Sequence, residues 1–255
     1  VVKPLLIIGA AADKIGKGDL TVTASVKSED EIGSLADRIN TMIQGLRERL
    51  HLTKFVSEET VGAVAGKDME GVSLGGERKD ATVLFSDIRN FTSYSEKVEP
   101  EEVIDMLNSY LNTQAEVVKN NGGDIDKFVG DELMAVFKGK SMVEKAVKCS
   151  VEIQKKIAVM NKKNKKNIEV GIGINAGPMV MGAMGSKDRM DYTVLGDNVN
   201  LGARLCSAAK AGEIIISKRA VRFLPKSHSV DLRPLDPLKV KGKKDVIEVF
   251  SITLD

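Results

Sequence analysis

Tryptophan is absent from this 255-residue chain and aromatic residues make up only 4% of it, so the stacking platforms that hold single-stranded nucleic acid are not suggested. A formal net charge of +2 is too small to imply nucleic-acid binding through bulk electrostatics. There are two cysteines, with no CxxC and no Cys/His cluster, which argues against a zinc site. Cys149 and Cys206 fall in apolar-periodic helical stretches and read as buried thiols of a reducing compartment. The two histidines, His51 and His228, are isolated and are assigned no role. No apolar run reaches the ~18 residues needed to span a bilayer. A Walker-type GxxxxGKS or GxxxxGKT is missing, so a P-loop nucleotide site is not supported. Gly171 and Gly173 form only a GxG inside a strand-like run, better read as close backbone packing.

What is present is ordinary for a globular chain, with 42% hydrophobic and 29% charged residues, enough to build one or two domains. The first ~50 residues read as helix, connector, helix. Leu5, Ile8, Ala12 and Ile15 are spaced by three and four, as are Ile32, Leu35, Ile39, Met42 and Leu46. Such a seam cannot be buried by one helix alone. Gly16, Gly18 and Asp19 end the first helix, and Leu20, Val22 and Val26 alternate in an extended connector. After Leu46 the next apolar position, Leu50, is four residues on, a stutter in the heptad. Residues 51–78 lose periodicity and are punctuated by Gly62, Gly66, Gly71, Gly75 and Gly76. The chain opens on Val1, and Val1-Val2-Lys3-Pro4 is read as the cytoplasmic end of a transmembrane helix lying upstream.

From Asp80 the pattern becomes alternating strands and helices. Residues 81–86 read as a buried strand. Pro100, Glu101 and Glu102 open a helix that Gly122-Gly123 closes. Residues 125–137 read as a hairpin around Gly130-Asp131, and ~142–160 as an amphipathic helix. The lysines of 162–166 read as a solvated loop. Strands are expected over 168–175 and 179–184, a helix over 198–209 and a strand over 213–217. The sum is an α+β sandwich with helices on one face of the sheet.

Three groups of residues in this frame point to chemistry. Asp87 ends the apolar strand in FSDIRNFT. Asp131 sits at the hairpin turn in Phe128-Val129-Gly130-Asp131-Glu132. Acids at a strand end and an adjacent hairpin can share divalent cations, which prefer hard oxygen ligands. Asn200 and Arg204, in NVNLGARL, are spaced i, i+4 and share a helix face, where they can hold a ribose and a phosphate.

These motifs, in this order over residues ~79–255, resemble the catalytic domain of class III nucleotide cyclases. Pro4, Gly18-Asp19-Leu20 and Asp30-Glu31-Ile32-Gly33 resemble a HAMP domain, whose two chains form a parallel four-helix bundle below the membrane; an ordinary dimerising coiled coil is the alternative. Together they imply a HAMP domain over 1–50, a transducing linker over 51–78 and a ferredoxin-like cyclase domain over 79–255. The resemblance implies metal binding by Asp87, Ile88 and Asp131, with two Mg²⁺ or Mn²⁺ per site. It implies base reading by Lys127 and Thr193, ribose orientation by Asn200, charge stabilisation by Arg204 and triphosphate contact by Lys241. In that family adenylyl cyclases carry Lys with Asp or Thr and guanylyl cyclases typically carry Glu and Cys, so the pair here favours ATP. A threonine is the less diagnostic reader, because its hydroxyl both donates and accepts. The site is expected between two chains of a homodimer on the cytoplasmic side of a bacterial membrane, downstream of a sensor segment of the same full-length protein. The alternatives are a guanylyl cyclase, disfavoured by Lys127, and a catalytically silent nucleotide-sensing module, which would have lost one of the metal or phosphate residues.

Overall fold

The computed structural model of the chain describes every residue except 1, 66–73, 165, 187–188, 227, 229, 240–245 and 254–255. Gly66 and Gly71, two of the glycines that punctuate 51–78, lie outside the described residues. The fold divides into two compact units, Val1–Val56 and Ser57–Asp255.

The first unit holds α1 (Val2–Gly16) and α2 (Glu31–Leu52), with a 3₁₀ turn at Thr53–Phe55. The Asp30 carboxylate caps α2 by accepting from the amides of Ile32 and Gly33 at 3.0 and 3.2 Å, which satisfies donors that no intrahelical partner reaches. The extended connector is pinned along α2. The Ala24 amide donates to Asn40 Oδ1 at 2.8 Å, and Asn40 Nδ2 donates back to the Ala24 carbonyl at 3.1 Å. Arg47 reaches the carbonyls of Leu20 and Val22. Gly33 admits no side chain, because a Cβ there would collide with the Ser28 carbonyl. The expected seam is only partly buried. Ile8, Ala11, Ala24 and Ala36 form a small core, whereas Leu35 and Met42 remain 42% and 50% exposed.

Among the described residues of the second unit the elements run α3 (Glu58–Ala65), β1 (Gly75–Ile88), α4 (Phe91–Ser95), α5 (Pro100–Asn120), β2 (Asp124–Val129), β3 (Glu132–Phe137) and α6 (Met142–Asn164). They continue with β4 (Val170–Gly185), β5 (Met190–Leu195), α7 (Asp197–Ala208), β6 (Ile214–Ser217), α8 (Lys218–Val221), β7 (Leu232–Pro234) and β8 (Val249–Ile252). One sheet contains all the strands in the order β2-β3-β1-β4-β6-β8-β7, and β5 pairs with the outer half of β4. Two strands are longer than the sequence suggests. β1 starts at Gly75, and β4 runs unbroken through Gly177-Pro178 where two strands, over 168–175 and 179–184, are expected from the sequence. The reason is pairing: β1 and β4 run antiparallel from Gly75↔Ala183 to Ile88↔Val170, so each supports the other through the glycine-proline step. α6 likewise continues through Lys162 and Lys163, which the sequence had left to a loop.

The inner half of β1 is buried almost without interruption, as a strand covered on both faces requires, and its side chains alternate between those faces. Leu84 packs with Leu133, Phe137, Ile172 and Ile174 under α5 and α6. Val83 and Phe85 face the other way, with Met134, Val136, Met181, Val194 and Val199. Helix α7 therefore covers the second face, a departure from the one-faced sandwich that the sequence suggested. It lies against the sheet backbone because glycines leave room. A Cβ on Gly173 would stand 2.6 Å from the Gly202 carbonyl and collide with the Cys206 amide, and a Cβ on Gly202 would stand 2.7 Å from Val83 Cγ2. The close packing read from Gly171 and Gly173 has this helix as its partner.

Replacing Gly173 with alanine forces α7 off the sheet. Overpacking of this kind costs about 1–3 kcal/mol, so G173A is expected to lower the midpoint of chemical or thermal unfolding. An unchanged midpoint would contradict the tight seating of α7.

Candidate functional site

Asp87 stands at the end of β1, beside Glu132 on β3 and Gly171 on β4. Glu132 follows directly on Asp131, which the Gly130 turn (φ +62) places at the hairpin tip. Register thus brings Asp87 and Asp131 together. Burial, then the charge of Asp87, pushes the Asp131 carboxyl up, against hydrogen bonds from its own amide and that of Ile88. Glu132 is raised in the same way by burial, then by Asp87 and Asp131. Like charges held this close favour a cation between them. The Ile88 side chain is buried in the core, so only its backbone carbonyl is a candidate ligand. Two carboxylates and a carbonyl are hard oxygen donors that fit Mg²⁺ or Mn²⁺. Among the described residues no group of three or more His, Cys, Asp or Glu is arranged to hold a metal by itself, so further oxygens must come from elsewhere.

The sequence reading missed Arg89. Its Nη2 pairs with the Asp87 carboxylate, while its Nη1 donates to the Ala209 carbonyl at 3.3 Å at the end of α7. One guanidinium therefore ties the Asp87 strand end to the helix of Asn200 and Arg204. A bound cation competes with it for Asp87. Cys206 lies alongside, its thiol donating to the Gly171 carbonyl at 3.2 Å. Burial pushes this thiol up to about 12, as it does that of Cys149, and both are inert buried groups as expected.

Lys127 lies on β2 and Thr193 on β5. The structure joins them through Asp126, which the sequence reading also passed over. Thr193 Oγ1 donates to Asp126 Oδ2 at 2.7 Å, and Lys127 Nζ stands 3.4 Å from the same oxygen. This bond brings β5 across to β2, so the sheet curls around the Val83 and Phe85 cluster. The Asp126 carboxyl is raised chiefly by burial, against the hydrogen bond of Thr193 and the charge of Lys127. Two positions earlier along the strand, the Asp124 carboxylate accepts from the amides of Glu58 and Glu59 at 3.3 and 3.2 Å, capping α3. Burial raises that carboxyl too.

Asn200 and Arg204 lie one turn apart on the exposed face of α7. The start of this helix is fixed from below. Asn175 Nδ2 donates to the Asn198 carbonyl at 2.7 Å, Asn198 Nδ2 to the Pro178 carbonyl at 2.8 Å, and Ser217 Oγ to Asn175 Oδ1 at 2.6 Å. Gly196, at φ +139, makes the bend into the helix that a side chain would strain. The triphosphate residue expected from sequence, Lys241, lies outside the described residues. The arrangement is thus a carboxylate pair, a Lys-Asp-Thr relay and an Asn/Arg helix face, the donors and acceptors a nucleoside triphosphate requires.

Residues 76–253 match the family described as adenylate and guanylate cyclase catalytic domain, and residues 1–48 match the HAMP domain. An adenylate cyclase of Anabaena cylindrica is 33% identical over 270 residues, covering 98% of this chain; the chain spans 54% of that relative's length. The crystal structure of the adenylyl cyclase CyaB from P. aeruginosa superposes with a TM-score of 0.67 at 36% identity, covering 71% of this chain and 96% of that one. The crystal structure of the guanylyl cyclase Cya2 gives a TM-score of 0.64, also at 36% identity, covering 70% and 94%. The chain belongs to the adenylate and guanylate cyclase family, a class III catalytic domain preceded by a HAMP domain.

Proposed function

We propose that the chain is an adenylyl cyclase, converting ATP to 3′,5′-cyclic AMP and pyrophosphate at sites shared between two copies and governed through the HAMP domain. Similarity to solved cyclases does not choose between ATP and GTP, since one of each kind stands at 36% identity. The observation that carries the reading is the Lys127/Thr193 pair, held side by side on one carboxylate. An ammonium donates to a purine ring nitrogen, and a hydroxyl accepts from the exocyclic amine that adenine carries.

In the reaction the ribose 3′-hydroxyl attacks the α-phosphorus and pyrophosphate departs, so catalysis is mainly positioning and charge neutralisation. Asn200 orients the ribose. Arg204 meets the charge that grows on the α-phosphate, an interaction able to supply several kcal/mol when preorganised. Asp87, Asp131 and the Ile88 carbonyl hold the divalent cations with help from substrate phosphates, and Lys241 contacts the triphosphate. When bound, the two metal ions lower the pKa of the hydroxyl and stabilise the leaving group. In the shared arrangement Asp87 and Asp131 come from one copy and Lys127, Thr193, Asn200 and Arg204 from the other, giving a symmetric dimer two sites. The exposed seam residues Leu35 and Met42 of α2 support a second copy in the HAMP bundle, and the bundle sets the register of the two half-sites.

Purified chain incubated with ATP and Mg²⁺ or Mn²⁺ is expected to yield cyclic AMP, and Asp87→Ala to lower kcat by two orders of magnitude or more, about 3 kcal/mol of barrier. Equal turnover by Asp87→Ala would reject the metal assignment. The double exchange Lys127→Glu with Thr193→Cys is expected to move preference toward GTP. Undiminished ATP selectivity in that variant would reject the base-reading assignment.

A further inference from the structure

The two purines of nucleotide metabolism differ at the position a base-reading hydroxyl would meet: adenine offers an amine donor, guanine a carbonyl acceptor. A threonine hydroxyl is compatible with either, because it rotates to donate or accept. Whatever engages its single proton decides which it is.

The structure shows what does. Along a regular strand Asp126 and Lys127 would point to opposite faces. The pairing of β2 with β3 slips between Ile125 and Lys127, so Asp126 is the extra residue of a bulge, a device that re-aims a side chain. Its side chain is turned inward and 5% exposed, whereas that of Lys127 keeps 37%. Thr193 gives its proton to Asp126 Oδ2 at 2.7 Å, and the Lys127 ammonium beside that oxygen favours the ionised, accept-only carboxylate.

We propose that Asp126 is a positioning residue for substrate choice: by taking the proton of Thr193 it leaves this hydroxyl an acceptor only, matched to the adenine amine and repelled by the guanine carbonyl. The inference rests on the reading of Lys127 and Thr193 as base-facing residues. It adds that their selectivity is imposed from behind by a residue that itself never touches the base. It also gives the bulge a purpose, since an unbulged strand would withdraw the carboxylate from Thr193. Thr193 retains 8% of its surface, all that a single lone-pair contact requires.

The test is the ratio of kcat/KM for ATP to kcat/KM for GTP in the full chain and in Asp126→Asn, Asp126→Ala, Thr193→Val and Asp126→Asn/Thr193→Val. Competition between the two nucleotides for binding gives the same ratio where turnover is too slow. The asparagine is nearly isosteric but uncharged, and its amide can turn either its oxygen or its NH2 to Thr193 Oγ1, whereas the alanine removes the acceptor outright and frees the hydroxyl proton. The ratio is expected to fall about ten-fold or more, as the loss of a matched polar contact implies, and to fall no further when Asp126→Asn is added to Thr193→Val. If Asp126 only braces β5 against β2, its variants will lower both nucleotides together and leave the ratio at its original value, which overturns the proposal. If Thr193→Val shifts the ratio and neither Asp126→Asn nor Asp126→Ala does, base reading stands and the role of Asp126 falls. If Thr193→Val leaves the ratio unmoved, the base-reading premise itself falls, and the proposal with it.

Discussion

The antiparallel ladder between β1 and β4 is the constraint on which the catalytic unit depends. It runs from Gly75↔Ala183 to Ile88↔Val170, and each group of functional residues hangs from it. Its inner end presents Asp87. Its outer end, on β4, carries β5 and with it Thr193. Near the Asp87 end, Gly173 of β4 lets Gly202 and Cys206 of α7 approach closely, and α7 rests there with Asn200 and Arg204 outward. A shift of one residue in this ladder would turn every side chain to the opposite face, and all three groups would be lost together.

The charges are arranged at its edges rather than within it. Asp131 and Glu132 are pushed up by burial and by Asp87, a standing repulsion that Arg89 relieves in part and a divalent cation would relieve further. Asp126 is likewise raised by burial but answered by Lys127 and Thr193. One carboxylate cluster would therefore gain from a cation, whereas the carboxylate of the other already has Thr193 and Lys127 beside it. A third acid, Asp124, holds the amides that open α3, so two acids of a single short strand cap a helix and hold the Thr193 hydroxyl.

Much of this was legible in the sequence because it is local. The spacing of apolar residues in α1, α2, α5 and α6, the Pro100 and Gly122 boundaries and the Gly130-Asp131 turn all depend on neighbours in the chain. The motifs FSDIRNFT and NVNLGARL located the carboxylate and phosphate residues. What escaped was nonlocal. Arg89 meets Ala209 across 120 residues of chain and Asp126 meets Thr193 across 67, and no periodicity marks such pairs. The bulge at Asp126 is invisible for the same reason, being a property of two strands. Two strands, over 168–175 and 179–184, are expected where β4 is continuous, because the support for an uninterrupted strand comes from β1. In α1 and α2 the spacing marked a seam wider than one chain buries, so Leu35 and Met42 stay exposed while Ala36 and Ile43 turn inward.

The central claim is that one copy brings the metal carboxylates and the other brings the nucleotide-holding residues. Mixing Asp87→Ala chains with Arg204→Ala chains tests it most directly. Each variant alone places a defect in both sites of its symmetric dimer. A mixed dimer places both defects in one site and leaves the other intact, so cyclic AMP formation should return to about a quarter of the original rate after statistical exchange. Activity in the mixture no greater than the sum of the two variants would contradict a shared site.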